Sequence, residues 1–360
     1  MPTEVKIGLL RLTDSAPVVV ARSRNLFAAL DLHPILSIEP SWATIADKLA
    51  YGLLDAAVML PPLALSLAIG LRGPPVNLIV PMGLSQGGNT VVLGGGLPEQ
   101  EAALPPGARM LAWLRRQNEP PRIAVVHRFS THNLLLRYWL ALTGIDPDRD
   151  LETVVVPPEQ VVAALEAGQI QGFCAGAPWG AAAEQAGAGN VLLATSDIWP
   201  FHPEKCLAVR TAWADADPDA LTRLLRALMR AQVICDREEE AEDVAIALSE
   251  DSGLALPRGA VRAALPGGTG PPEQIHFHGA GAGFPAPPHA AWFLAQMRRW
   301  GWLEAAANPA AVARLVYRPD LYARAARLED LFTVPGHGSV PAASGAISGV
   351  LAGIPDMPEF

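Results

Sequence analysis

Residues 41–60 read as a short helix that runs directly into a buried strand. Ser41 can cap the first free amide groups of this helix, and Gly52 can adopt the left-handed conformation that ends it. A helix start gathers backbone N–H groups that attract an anion, and Trp42, at the first turn, can wall such a site. A tryptophan buried in the core explains that residue equally well. The segment therefore predicts one unit of an α/β fold and favours binding over catalysis.

The same alternation of short apolar runs and helical patterns recurs along the chain. A first block ends with a strand predicted at Thr90–Leu93, and a second block begins with a strand predicted at Arg122–His127. From about residue 205 the pattern changes to helices. The alternation predicts an α/β protein with mainly parallel sheets.

The two blocks and the helical return predict two lobes with a ligand cleft between them. We predict that lobe 1 comprises residues 1–93 and 200–332, with a helical C-terminal part, and that lobe 2 comprises residues 94–199. A tail at residues 333–360, rich in Gly, Pro, Ala and Ser, is expected to be flexible.

Charge and hydropathy argue against nucleic-acid binding and against a membrane span. The chain carries 27 basic and 36 acidic side chains, a net charge of −9, and no basic stripe. Its most apolar stretch, residues 52–71, is interrupted by Asp55 and by Pro61-Pro62, so it cannot cross a bilayer as one helix. We therefore expect no direct contact with nucleic acid and no membrane span.

The sequence also lacks the common signatures of enzymes and of metal sites. There is no Gly-x-Ser-x-Gly elbow, no P-loop, no His-Glu-x-x-His and no cluster with metal-ligand spacing. Cys174, Cys206 and Cys235 fit neither a disulfide framework nor a metal motif, and the first two lie in apolar runs that indicate buried, unreactive thiols. We expect no cofactor, no metal and no enzymatic activity.

Four segments supply candidate binding residues, and each has a plainer explanation. Thr13 links a strand to a helix, where its hydroxyl either reaches the cleft or only caps the helix. Gln86 and Asn89 flank two glycines and either donate to a ligand or form a turn. His132 lies near a helix start and is either an anion contact or a structural histidine. Lys205 opens an apolar strand, where burial requires nearby negative charge, unless it lies on the surface.

Many short motifs, in one order over residues 4–328, resemble the NrtA/CmpA family of nitrate- and bicarbonate-binding proteins. They include Leu12-Thr13-Asp14, the helix of residues 41–52, Leu136-Arg137-Tyr138-Trp139-Leu140, Asp197-Ile198-Trp199-Pro200 and His202-Pro203-Glu204-Lys205. The resemblance implies a two-lobed, type II periplasmic-binding-protein architecture.

The resemblance also implies a ligand. Nitrate binders of the family hold the anion with a tryptophan, a glutamine, a histidine and a lysine, and these correspond to Trp42, Gln86, His132 and Lys205. Bicarbonate-binding relatives have a carboxylate at the lysine position and recruit calcium there. Nitrate or nitrite is therefore expected rather than bicarbonate.

The start of the chain shows no export signal or lipid anchor, so we expect a cytoplasmic protein. In this respect it resembles the NasS-type sensors of nitrate and nitrite, which hold an ANTAR-type antiterminator (NasT-like) inactive until the anion arrives. We therefore predict an anion-dependent sensor. The alternative is the substrate-binding component of an ABC importer for nitrate or a related anion.

Overall fold

The structure, a computed structural model, describes residues 2–96, 98–269, 275–304 and 308–331. The tail predicted at 333–360 lies outside the described residues. Two five-stranded sheets form the centres of two lobes. Their strands are β1 Thr3–Leu9, β2 Leu32–Ile38, β3 Ala56–Met59, β4 Leu78–Gln86, β5 Asn89–Leu93, β6 Arg122–Val125, β7 Glu152–Val155, β8 Gly172–Gly176, β9 Asn190–Ala194 and β10 Pro203–Arg210.

The two sheets have the same internal plan. The first has the order β2-β1-β3-β10-β4 and the second β7-β6-β8-β5-β9. In each, four strands run in one direction and one strand, β10 or β5, is antiparallel to both of its neighbours. The prediction of an α/β protein with mainly parallel sheets is therefore confirmed.

Helices cover the sheets and extend the chain beyond them. They are α1 Ala16–Ser23, α2 Trp42–Ala50, α3 Pro61–Ala68, α4 Pro106–Leu114, α5 Thr131–Leu142, α6 Val161–Glu166, α7 Trp179–Gln185, α8 Thr211–Ala216, α9 Pro218–Cys235, α10 Ala241–Ile246, α11 Arg258–Ala264, α12 Pro287–Arg299, α13 Pro309–Val316 and α14 Pro319–Arg327. Helix α12 contacts α3 beside the first sheet and α5 beside the second. Among the described residues, no helix has the length and apolar character that crossing a membrane requires.

The chain passes between the sheets at two points that frame the cleft. Strand β4 leads through Gly87 and Gly88 into β5, and β9 leads through residues 195–202 into β10. The predicted boundary after residue 93 therefore differs from the structure, because β5 pairs with β8 and β9 of the second sheet. The apolar pattern of β5 shows that it is buried but not which sheet it joins.

Three elements differ from the sequence-based expectation for local reasons. The sequence pattern predicts a helix near Pro17–Leu30, but α1 ends at Ser23, and Asn25 has a left-handed backbone with φ 57°. Strand β2 is not among the predicted strands; it contains Pro34, which a strand at the edge of a sheet tolerates. Helix α3 begins at Pro61-Pro62, residues that we interpreted only as a break, although proline is favoured in the first turn.

Gly88 lies where the chain crosses from β4 to β5, and substituting it tests how tightly this crossing is packed. Its φ is +82°, and an added Cβ would lie 2.4 Å from Cγ1 of Ile275. Gly187 has a similar φ of +69° with nothing within 4 Å of an added Cβ. We predict that Gly88→Ala and Gly187→Ala each lose about 1 kcal/mol of unfolding free energy from backbone strain. Gly88→Ala should lose a further 1–3 kcal/mol or so from overpacking. Urea denaturation measures both, and equal losses would contradict the tight crossing.

Candidate functional site

The candidate residues lie where the strand ends of the two sheets face each other. The strands of each sheet that run in one direction end at this edge, and the two antiparallel strands (β5 and β10) begin there. The loops and helices that follow these ends bring side chains from both lobes to one place. The predicted residues at this edge are Thr13, Trp42, Gln86, Asn89, His132 and Lys205.

Lys205 lies at the centre of this cluster and is not a surface residue. Its side chain is 1% exposed, with Nζ 2.6 Å from Oδ2 of Asp14 and 2.8 Å from Oε1 of Glu204. The same Nζ lies 5.5 Å from the ring centroid of Trp42. Burial by itself lowers the pKa of the ammonium group, but the two carboxylates outweigh burial and raise it. Lys205 is therefore charged, and its charge is matched inside the protein.

Glu204 links the two lobes through its carboxylate. Its Oε2 accepts a 2.7 Å hydrogen bond from Nδ2 of Asn89. The Nδ1 atoms of His132 and His202 each lie 3.8 Å from this carboxylate. Burial opposes ionisation of Glu204, but Lys205 and His132 outweigh burial and lower its pKa to about 2. An ionised glutamate thus lies fully buried in the middle of the site.

His132 enters the site from the first turn of α5. Ser130 caps this helix by accepting a 3.2 Å hydrogen bond from the backbone N–H of Asn133. The backbone N–H of Val126 donates to Nε2 of His132 at 3.3 Å, so the proton of the neutral ring lies on Nδ1, the atom that faces Glu204. Burial lowers the pKa of His132 despite the neighbouring carboxylate. His132 is therefore a neutral donor held in one tautomer.

Trp42 occupies the first turn of α2, as predicted. Ser41 caps this helix by accepting a 3.1 Å hydrogen bond from the backbone N–H of Thr44, and Gly52 has the expected left-handed φ of 75°. The Trp42 side chain is 1% exposed, and its face lies towards the ammonium of Lys205. Trp42 is thus part of the core and a wall of the cluster at once, so the two explanations are not exclusive.

Gln86 lies at the end of β4. Its backbone pairs with Pro203 of β10 and exchanges hydrogen bonds with His276. Gln86 and Lys205 line one small cavity together with Phe284 and His289. The structure thereby places the fourth predicted anion contact beside the lysine.

Thr13 and Asn89 complete the set of predicted residues. The backbone N–H of Thr13 donates to the carbonyl of Ala177 at 3.0 Å, a contact between the lobes. Asn89, at the start of β5, pairs with Gly176 at the end of β8. Both side chains are fully buried.

Buried polar atoms without a hydrogen-bond partner among the described residues are concentrated in this cluster. Such atoms are rare in folded proteins because an unpaired buried donor or acceptor costs free energy. Here they include Thr13 Oγ1, Asp14 Oδ1, Trp42 Nε1, Gln86 Oε1, Asn89 Oδ1, Thr131 Oγ1 and His132 Nδ1. The concentration indicates a place for a small polar ligand rather than a sealed core.

The two acidic residues that define the electrostatics of the site, Asp14 and Glu204, lie within motifs quoted in the sequence analysis, but neither was predicted as a binding residue. Successive side chains on a regular strand point to opposite faces, so adjacent Glu204 and Lys205 were not expected together. The pairing of β10 with β4 shifts register on both sides of Lys205, and this irregularity brings the two side chains into contact. The requirement that a buried lysine meet negative charge was the one available signal.

The possible metal ligands and the cysteines of the described residues are arranged as follows. Within the described ranges, no group of three His, Cys, Asp or Glu side chains has the geometry to hold a metal ion. Cys174 and Cys206 are buried as predicted, and burial raises the pKa of the Cys206 thiol.

Removing the charge of Lys205 tests the buried ion pairs. We predict that Lys205→Met lowers the free energy of unfolding by about 3–5 kcal/mol, because Asp14 and Glu204 are left as uncompensated buried carboxylates. Lys6→Met, at an exposed position of β1, should change it by less than about 0.5 kcal/mol. Chemical denaturation at neutral pH compares the two, and similar losses would contradict a buried network.

Comparison with known proteins finds relatives that match most of the chain. The model of the NMT1-like family matches residues 1–249. The nitrate/nitrite binding protein NrtA of Synechococcus elongatus is 32% identical over 342 residues, which cover 90% of this chain and 77% of that protein. The nitrate import ATP-binding protein NrtC of Synechocystis sp. is 33% identical over 337 residues, 89% of this chain, which spans only 49% of NrtC.

Solved structures of other proteins share the fold of this chain. The periplasmic nitrate-binding protein NrtA from Synechocystis PCC 6803 superposes with a TM-score of 0.84 and 28% identity, over 92% of this chain and 91% of that one. The ligand-binding component of an ABC-type import system from Staphylococcus aureus shares the fold, with a TM-score of 0.71 and 20% identity. The two-lobed periplasmic-binding-protein architecture predicted from the resemblance is confirmed.

Proposed function

We propose that this chain, which belongs to the NMT1-like family and is a relative of the NrtA proteins, binds nitrate or nitrite between its lobes. The observation that carries the proposal is the set of buried polar atoms around Lys205 that have no hydrogen-bond partner within the described part of the chain. The family resemblance expected from the sequence motifs is confirmed by the matches. The relatives are named as binding and import proteins, which supports binding rather than catalysis.

The donors in the cluster suit a small planar anion. Trp42 offers its indole N–H, and His132 offers Nδ1–H in a fixed tautomer. The ammonium of Lys205 has three N–H donors, of which Asp14 and Glu204 take two. The remaining N–H can complete the contacts to one anion. No metal ion is needed in this scheme.

Trp42 provides the direct test of anion contact. Trp42→Phe keeps the aromatic wall and removes the indole N–H. We predict that the affinity for nitrate falls about tenfold or more, because a hydrogen bond to a charged group contributes about 1.5–3 kcal/mol. Trp213→Phe is the matched control. Trp213 is a half-buried residue of α8, and its substitution should leave the affinity for nitrate unchanged.

Isothermal titration with nitrate, nitrite, bicarbonate and sulfate measures the affinities and ranks the anions. Wild-type protein that binds none of them would overturn the proposed ligand class. Equal nitrate affinity in Trp42→Phe and wild type would exclude Trp42 as an anion contact.

Anion binding can serve import or sensing, and the names of the relatives favour import. The names NrtA and NrtC support delivery of the anion to an ABC importer. The sensor function predicted from the sequence, in the cytoplasm with an ANTAR-type antiterminator as partner, is proposed as the second use. It is supported by contacts that cross the cleft, because closure over an anion would change the surface that a partner meets.

A binding assay with the candidate partners separates the two uses. For the sensor, we predict that purified chain holds an ANTAR-type antiterminator without nitrate and releases it at saturating nitrate. Size-exclusion chromatography over a nitrate titration measures the release, and Trp42→Phe should need about tenfold more nitrate, or more, for the same release. Stimulation of a reconstituted permease and ATPase by the loaded chain, without antiterminator binding, would support the importer instead.

A further inference from the structure

The buried cluster around Lys205 holds more negative than positive charge when its carboxyl groups are ionised. Asp14 and Glu204 both contact the one ammonium group, and both are at most 2% exposed. His132 and His202 are neutral because burial lowers the pKa of each. One cation and two anions leave a net charge of −1 before any ligand enters.

A monoanion that joins this cluster would bring the buried charge to −2. Like charges held close together in a low-dielectric interior repel strongly, and the usual response is that one carboxyl group takes a proton. On the premise of the proposed function, we propose that the site takes up its anion together with one proton, that Asp14 holds this proton, and that its Oδ1–H donates to the anion.

Asp14 is better placed than Glu204 to become neutral. Both oxygens of Glu204 accept strong contacts, Oε1 from Lys205 and Oε2 from Asn89. Asp14 uses only Oδ2, towards Lys205, while its buried Oδ1 has no hydrogen-bond partner among the described residues. Protonation of Asp14 on Oδ1 therefore creates a donor without breaking an existing contact. Burial raises the pKa of this carboxyl, and Lys205 offsets only part of the effect.

Gly176 lets the second lobe approach Asp14 closely. It ends β8, and an added Cβ there would lie 3.7 Å from Oδ2 of Asp14 and 3.3 Å from Oδ1 of Asn89. The small cavity of the site lies on Lys205 and Gln86. Because Asp14 contacts the same ammonium group of Lys205, a protonated Asp14 can share an anion with Lys205.

The neighbouring histidines are poor acceptors for the extra proton. Nε2 of His132 already accepts a hydrogen bond from the backbone N–H of Val126. A second ring proton would have to sit on Nε2, where it would face this N–H donor. Nε2 of His202 contacts Oγ1 of Thr195 at 2.7 Å, and burial lowers the pKa of this ring to about 4.

The remaining charged groups near the cluster lie one layer further out. Burial lowers the pKa of His127, which faces His132, to about 3, and that of His289, which faces His202, to about 4. Arg11, on the strand side of Asp14, pairs with Glu159 at 3.0 Å at the partly exposed rim. None of these groups contacts Asp14 in the described part of the chain.

The sign of the pH dependence follows from the location of Asp14. Opening of the lobes would expose Asp14 to water and let its pKa return towards that of an ordinary carboxyl group. Closure over the anion raises the pKa, so the anion-bound form holds the proton. Affinity should then fall by up to about tenfold per pH unit as pH rises between these two pKa values.

Isothermal titration with nitrate in buffers of different ionisation enthalpy tests the proposal. Nitrate is a very weak base and stays ionised while the protein is folded, so any proton taken up belongs to the protein. Over a pH series, we expect wild type to take up close to one proton per nitrate at pH values between the free and the anion-bound pKa of Asp14. Asp14→Asn, which mimics the neutral carboxyl group, should bind nitrate with no proton uptake and with little pH dependence. Glu39→Gln removes another buried carboxyl, which contacts Lys48 and Ser37 and none of the cluster's charged groups in the described residues, and should behave as wild type.

The outcomes separate this inference from the proposed function. Nitrate binding by wild type without proton uptake would overturn the role of Asp14 and leave the proposed function intact. Proton uptake by Asp14→Asn equal to that of wild type would also overturn the role of Asp14 and leave the proposed function intact. If Asp14→Asn does not fold, the infrared band of a neutral carboxyl group in wild type must appear on nitrate binding, and its absence counts against the proposal. Wild type that binds no oxyanion would overturn both.

Discussion

The ion pairs of Lys205 with Asp14 and Glu204 are the interaction on which the rest of the site depends. Three charged side chains are almost completely withdrawn from water, and such burial is tolerated only when each charge meets its partners at close range. The distances of 2.6 and 2.8 Å satisfy this condition. The network therefore fixes how the first sheet presents its side chains to the cleft.

The same network also joins the two lobes. Asp14, Glu204 and Lys205 belong to the first lobe, whereas Asn89 and His132 come from the second and face the Glu204 carboxylate. Separation of the lobes would hydrate these charges and break the hydrogen bond from Asn89. Closed and open forms thus differ in charge environment as well as in shape. A ligand that interacts with that environment only in the closed form shifts the equilibrium between the forms.

The arrangement of the strands explains why so many polar groups converge. In each sheet, the antiparallel strand begins at the edge where the parallel strands end. The chain enters this strand directly from the other lobe. The first residues of β5 and β10 therefore begin inside the cleft, where they contribute Asn89 from one side and Glu204 with Lys205 from the other. Two crossings of the chain thus suffice to build a site that neither lobe holds alone.

Local sequence determined the α/β class, the two helix starts that carry Trp42 and His132, and the candidates Gln86, Asn89, Thr13 and Lys205. Helix caps, glycines and apolar periodicity are signals that span a few residues, so they can be recognised in a single sequence. Only the tertiary structure decided that β5 belongs to the second sheet and that the charge of Lys205 is already matched by Asp14 and Glu204. Asp14 and Lys205 are far apart along the chain, and Glu204 reaches the site through a register shift in β10. Strand pairing and long-range charge contacts are set by the packing of the whole molecule, which no local pattern encodes.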